Sequence, residues 1–259
     1  MEAVFRVDHN EVETRPHAGG PWHPTMQHGG ASSALVVWAA ERIPTPQPMH
    51  VARLTVDLMR PVPVAPLTIA AEVVREGRKI QLCSVRLLAE GVEVARASVL
   101  KVRARDMVLP DVAGVSDGTL LDVTGPETGR EDEAGSSSRF IRGLTLRAVR
   151  GGFLQPGPGA IWFRVDRPMI EGAPTSAAMR AAVAADCGNG VSSVLDITKW
   201  TFLNADLTVS FARPPVGDWI LLNSQTILGR DGAALAMSRL ADVHGYFGCA
   251  TQSLVVEPR

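Results

Sequence analysis

The sequence predicts an α+β protein made of two copies of one unit, each a long antiparallel sheet wrapped around a central helix. Three observations lead there. Leu54-Thr-Val-Asp-Leu-Met-Arg-Pro61 returns 153 positions later as Leu207-Thr-Val-Ser-Phe-Ala-Arg-Pro214, with Leu, Thr, Val, Arg and Pro in identical places. Phe5-Arg-Val-Asp8 returns as Phe163-Arg-Val-Asp166 at an offset of 158, a change that loop insertions and deletions account for. Around both LTV phrases the order of events is shared: a strand, an Ala-rich helical stretch, the LTV strand ending in Arg-Pro, then three more strand-like runs. Two copies make a duplicated domain and not a solenoid. One helix against a curved antiparallel sheet, twice over, belongs to the α+β class.

The first repeat covers residues 1–105. A short strand at 3–7 runs into a loop rich in Gly, Pro and His. The helix over 30–43 is apolar almost all round, so it must be buried on most sides; Pro44 and Pro46 end it. Strands follow at 51–59, 66–75, 79–90 and 92–104, with Glu90-Gly91 turning between the last two. Residues 106–139 read as a linker. Between 111 and 138 there are seven acidic residues and one basic, with Gly, Ser and Thr, which implies an exposed and partly mobile segment. The second repeat, 140–259, opens with strands at 140–149 and 160–165. Pro174 to Asp186 gives the second Ala-rich helix, closed by Cys187-Gly-Asn-Gly190 because glycine is the usual residue just past a helix end. Strands at 201–212, 218–228, 233–243 and 247–256 complete it, with turns at Asp231-Gly232 and His244-Gly245.

Composition excludes several functions. With 26 basic against 27 acidic residues the net charge is −1, which leaves no electrostatic footprint for nucleic acid or an anionic membrane. The three cysteines are widely separated and form no CxxC, so neither a zinc site nor a disulfide framework is expected. No apolar run approaches the ~18 residues a membrane span needs, and the N-terminus lacks the blocks of a signal peptide. A cytoplasmic protein with reduced thiols is the expectation.

Asp186 is the most unusual residue in the chain. It ends a run of small apolar residues, and a carboxylate at a helix C-terminus opposes the dipole, so it does not serve the helix. Either it is a surface residue on a frayed turn or it is buried and held by donors. Strand alternation places Asn204, Asp206 and Thr208 on one face, which is a solvent-facing edge or a polar site. Gln252 interrupts the last strand; a strand glutamine by itself is ordinarily solvated. Gln27-His28-Gly29-Gly30 opens the first helix with bare N–H donors at the positive end of the dipole, or is a plain loop-to-helix turn.

Together these motifs resemble the type II acyl-CoA thioesterase (TesB-like) family, which has the double hotdog fold. The resemblance rests on Gln27-His-Gly-Gly30 with its helix, Ala185-Asp-Cys-Gly-Asn189, Asn204-Ala-Asp-Leu-Thr-Val-Ser-Phe-Ala-Arg-Pro214, and Gln252-Ser-Leu-Val-Val after Gly248. It implies hydrolysis of acyl-CoA to a free acid and CoA, with no metal and no cofactor. The family binds its water with an Asp, a Thr and a Gln; Asp186 and Gln252 fit the first and last. The Thr position falls on Asn204, and Thr208 offers a hydroxyl nearby. Gln27, His28, Gly29 and Gly30 are the implied substrate-binding residues, with the N–H of Gly30 or a neighbour polarising the carbonyl. The helix of the first repeat has the Gly-Gly opening and the helix of the second has the Asp, so one composite site per chain is expected. Fold analogy adds a homo-oligomer, a homodimer first. Two other readings stand beside hydrolysis: a non-catalytic acyl-CoA-binding protein, to which the Asn204 departure points, and a hotdog hydratase or dehydratase. The latter wants an Asp–His pair, for which His28 and His244 are the candidates.

Overall fold

A computed structural model describes residues 1–108, 122–132 and 138–259. In chain order the first repeat contains β1 (Phe5–Asp8), β2 (Glu11–Thr14), α1 (Gly29–Arg42), β3 (Met49–Asp57), β4 (Leu67–Glu76), β5 (Ile80–Ala89) and β6 (Val92–Arg103). After β7 (Arg130–Glu131), the second contains β8 (Leu144–Arg150), β9 (Gly159–Val165), α2 (Ala177–Ala185), α3 (Gly188–Val191), β10 (Trp200–Asn204), β11 (Asp206–Phe211), β12 (Trp219–Leu228), β13 (Ala233–Asp242) and β14 (Gly245–Pro258). All strands join one antiparallel sheet in the order β1-β2-β4-β5-β6-β3-β11-β14-β13-β12-β9-β8-β7, with β10 also on β14.

The repeats meet at the echoed phrase itself. β3 and β11 pair antiparallel with Leu54 opposite Val209, Thr55 opposite Thr208 and Val56 opposite Leu207. Thr55 and Thr208 hold the same place in the two phrases, so the strands cross at their common midpoint, as a two-fold axis between repeats requires. Outward from that pair, β6, β5 and β4 on one side mirror β14, β13 and β12 on the other. This is the double hotdog arrangement. The concave side holds α1 and α2 against each other, and one apolar cluster runs through both repeats. Ala34, Leu35, Val36 and Val37 are fully buried in succession, as an all-round apolar helix demands.

Several expectations need correction. The Phe-Arg-Val-Asp echo does not mark equivalent strands: β9 bonds directly to β12, whereas β1 reaches β4 only through β2. The duplication therefore rests on the LTV phrase. The second helix starts later than Pro174, because Ser176 caps it by accepting from Met179 N at 3.1 Å. Gly188 and Gly190 do not end it with a left-handed residue; they lie in α3. They are small for want of space, since a Cβ would sit 2.8 Å from Gln252 Oε1 or 2.7 Å from the Phe153 ring. Of the 106–139 linker, residues 109–121 and 133–137 lie outside the described residues. The part at 122–132 is docked: Trp162 Nε1 donates to Thr124 O at 2.9 Å, Tyr246 bonds to Asp122, and Phe153 N donates to Asp132 at 2.8 Å.

The Arg-Pro ending of the phrase has a structural use in the second repeat. Arg213 grips the fully buried Asp242 with two bonds, 2.5 and 2.8 Å, and Val216 N and His244 N each add one at 2.8 Å. Burial alone would raise the Asp242 carboxyl, but Arg213 and the two N–H groups hold it below the ordinary carboxylate value. A depressed carboxyl stabilises the fold above its unfolded pKa of about 4 and loses that contribution as pH falls through the folded value. Asp242→Asn is therefore expected to cost about 2–3 kcal/mol at pH 7, less than a fully buried pair because Arg213 reaches solvent. Urea melts should show the gap to wild type closing below pH 4; a gap independent of pH would contradict it.

Candidate active site

A cavity of about 670 Å³ opens between the repeats, largely apolar, with Trp22, Met59 and Phe202 among its walls. The first turn of α1 and the end of α2 meet on its polar side. Asp186, the residue after α2, is 4 % exposed, so the surface reading of it is excluded. Its Oδ1 accepts a bond from Asn204 Nδ2 at 3.0 Å, and its Oδ2 lies 2.9 Å from His28 Nδ1. The α1 N-terminus presses on the same carboxylate: a Cβ on Gly29 would stand 2.5 Å from Oδ1 and 2.9 Å from Oδ2. The buried charge is thus held by an amide donor, an imidazole and the positive end of a dipole.

His28 is fixed from several sides. Its N–H donates to Ala18 O at 2.8 Å, its ring stacks on Phe140 with centroids 4.9 Å apart, and its Nδ1 accepts from Gly30 N at 3.1 Å as the helix cap. Nδ1 therefore faces two groups and can serve one at a time. With a proton it can give to Asp186; without one it accepts from Gly30. The Gly30 N–H is engaged in the second state, whereas Gly29, which lines the cavity, has an N–H that makes no bond among the described residues.

Gln252 is 1 % exposed and not solvated. Its Nε2 donates to the backbone O of Asp186 at 3.0 Å and its Oε1 accepts from Asn189 N at 3.0 Å. Both partners are main chain, so Gln252 braces the turn that carries Asp186 and does not touch the carboxylate. Gln27 also lines the cavity, its Nε2 donating to Pro63 O at 2.8 Å. Next to Asp186, burial and then the Asp186 charge push the Cys187 thiol well above its ordinary value, which keeps it protonated.

Thr208 is not brought to the site. The expected single strand over 201–212 is two strands, because Asn204 faces Leu254 while Thr208 faces Thr251. Between those pairs one chain spends an extra residue, Ala205, and a bulge of that kind flips the side chains beyond it to the other face. Asn204 thus points inward with Leu254, and Thr208 outward, its hydroxyl donating to Thr55 at 3.3 Å. Asp206 instead accepts from Ser253 N at 2.6 Å. His244 lies at the distant β13–β14 turn. Sequence reasoning assigned His28 to substrate binding and named it only as a candidate partner for the Asp; its contact with Asp186 and the Asn189 link were not foreseen. The two residues of the pair are far apart in the chain, and nothing local signals the crossing of α1 over α2.

Models of the acyl-CoA thioesterase N-terminal and C-terminal domains match residues 18–102 and 116–256. The chain belongs to the acyl-CoA thioesterase family. That makes it a thioesterase, with acyl-CoA as its substrate class. Among solved structures, a hot dog fold protein of unknown function from Alicyclobacillus acidocaldarius superposes with a TM-score of 0.76 at 18 % identity, over 98 % of this chain and 95 % of that one. The tesB protein of Mycobacterium avium subs paratuberculosis gives 0.68 at 17 %, over 98 % and 95 %, and acyl-CoA thioesterase II TesB2 of Mycobacterium marinum gives 0.67 at 14 %, over 98 % and 94 %. At these identities the likeness concerns the fold. No curated protein sequence matches the chain. Among the described residues no helix is long and apolar enough to cross a membrane.

Proposed function

We propose that this thioesterase hydrolyses acyl-CoA with a water held and deprotonated by Asp186. The observation that carries the reading is the convergence of Asp186, Asn204 and His28, from both repeats, on one polar corner of an otherwise apolar cavity. The acyl chain lies along the apolar walls with its carbonyl at the α1 N-terminus. Water adds to that carbonyl and its proton passes to Asp186. The Gly29 N–H donates to the oxyanion. Collapse of the tetrahedral intermediate breaks the C–S bond, and the proton on Asp186 leaves with the CoA sulfur. Asn204 orients the carboxylate, while Gln252 is a positioning residue that acts through the Asp186 backbone. The composite corner fits a division into repeats 1–105 and 140–259 joined by 106–139.

Asn204 occupies the place the resemblance gives to Thr. Asn204→Ala is expected to lower turnover about 10-fold through loss of one bond to a charged group, and Asn204→Thr to preserve or raise it. CoA release from short-, medium- and long-chain acyl-CoAs tests both, and loss of all turnover in the Thr variant would reject the equivalence. The Asp186–His28 contact is also the pair a hydratase wants, so the panel includes 2-enoyl-CoA; water addition to it without CoA release would favour that reading. Binding without any turnover would favour a non-catalytic role. A cytoplasmic location in lipid metabolism accords with the substrate class. Exposed Val73, Val74, Ile227 and Leu228 support a homodimer or larger assembly, which a monomeric mass in solution would reject.

A further inference from the structure

The offset that relates the LTV strands also relates two cavities. The main cavity takes Phe202, Leu203 and Asn204, then Leu58 and Pro61, the first turn of α1 and the residues after α2. A second cleft of about 340 Å³ takes Met49, His50 and Val51, then Phe211 and Pro214, the first turn of α2 and the end of α1. Each strand residue in one has its counterpart in the other at 153 positions, so the cleft is the two-fold mate of the main cavity.

Its chemistry is changed. Val51 stands where Asn204 stands in the other. Leu54 faces Val99, and the matching register, with Thr55 facing Ser98 as Thr208 faces Thr251, puts Val99 in the place of Gln252. Opposite Val51 the strand partner is Lys101, where Leu254 faces Asn204. The polar groups that orient the carboxylate are gone and a cation has entered. Lys101 is 3 % exposed, and its Nζ donates to Ile43 O and to Gln81 Oε1, each at 3.0 Å. Both acceptors are neutral and use two of the three ammonium protons. Lys101 forms no ion pair among the described residues; the carboxylate whose field it feels, Glu41, lines the same cleft, and there burial raises the Glu41 carboxyl above its ordinary value. A buried ammonium without a charged partner is costly, and here it borders an open cleft of mixed lining, with Met49, Val51, Phe211 and Pro214 on one part and Glu41, Thr45, His50 and Ser176 on the rest.

We propose that this cleft binds, without hydrolysing, a carboxylate with an apolar tail: the head on Lys101 Nζ and the tail along Met49, Val51, Phe211 and Pro214. The acid released by the proposed hydrolysis belongs to that class, and only this link rests on the functional reading. Binding is measured directly, so a failure of turnover and a failure of this site are separate results.

The experiment uses the intact protein with ¹³C-methyl methionine, because Met49 borders the cleft whereas Met26 and Met59 border the main cavity. Decanoate is expected to shift the Met49 methyl, and decanol to leave it in place. Lys101→Leu, which installs the residue the second repeat carries there, should weaken the Met49 titration by at least about 10-fold, as loss of a charged hydrogen bond would. Thr45→Trp, at the cleft wall, should abolish it with Lys101 intact, and it decides the matter alone if Lys101→Leu fails to fold. Shifts confined to Met26 and Met59, or a folded Lys101→Leu or Thr45→Trp protein that titrates like wild type, would overturn the proposal.

Discussion

Asp186→Asn is expected to lower the rate of CoA release by roughly 10²–10⁴ while leaving the fold intact. The substitution keeps the shape of the side chain. Its amide oxygen still accepts from Asn204, and its NH₂ group can donate to His28 Nδ1 in place of the Gly30 N–H. What disappears is the base. Because the side chain keeps its shape and its bond from Asn204, KM should move little and the loss should fall on kcat. Near-ultraviolet circular dichroism and a urea melt verify the fold, and a thiol-reactive dye follows CoA. Turnover equal to wild type would reject Asp186 as the base.

Gly29→Ala is expected to cost about 10²-fold in turnover, the scale of a displacement of about 1 Å at the reacting groups. The cause is local: the new Cβ would stand 2.5 Å from Asp186 Oδ1, and that carboxylate is already held by Asn204 and His28. Gly29 is the first residue of α1 and its φ is not positive, so the backbone tolerates alanine. Alanine is also the better helix former. Better helix propensity offsets part of the cost of pushing the held carboxylate aside, so the melting temperature should fall modestly while turnover falls steeply. Turnover and Tm both equal to wild type would contradict the packing of α1 on the carboxylate.

What the sequence revealed and what it hid divide along physical lines. The LTV phrase was legible because it is the strand pair at the two-fold axis, where both copies need the same residues. Asp186 was legible because a carboxylate in a run of alanines opposes the helix dipole, and structure supplies the N-terminus of another helix to offset it. The face of Asn204 and Thr208 was misread, since alternation assumes an unbroken strand and Ala205 inserts one residue. Comparison of the halves gave no warning: β3 carries its own register shift between Val51 and Arg53, at the matching place. The Phe-Arg-Val-Asp echo looked like a second proof, yet its copies lie on strands with different neighbours. His28 facing Asp186 could not be read locally, because two helices from different repeats bring the pair together.

Direct attack of water on the thioester, governed by Asp186, is the central claim, and a single turnover in H₂¹⁸O tests it most directly. With enzyme in excess over acyl-CoA, the free acid from the first turnover is expected to carry one ¹⁸O, and Asp186 none. An acid without ¹⁸O, with the label found in the Asp186 carboxylate, would mean that Asp186 attacks the carbonyl itself and would contradict the water mechanism.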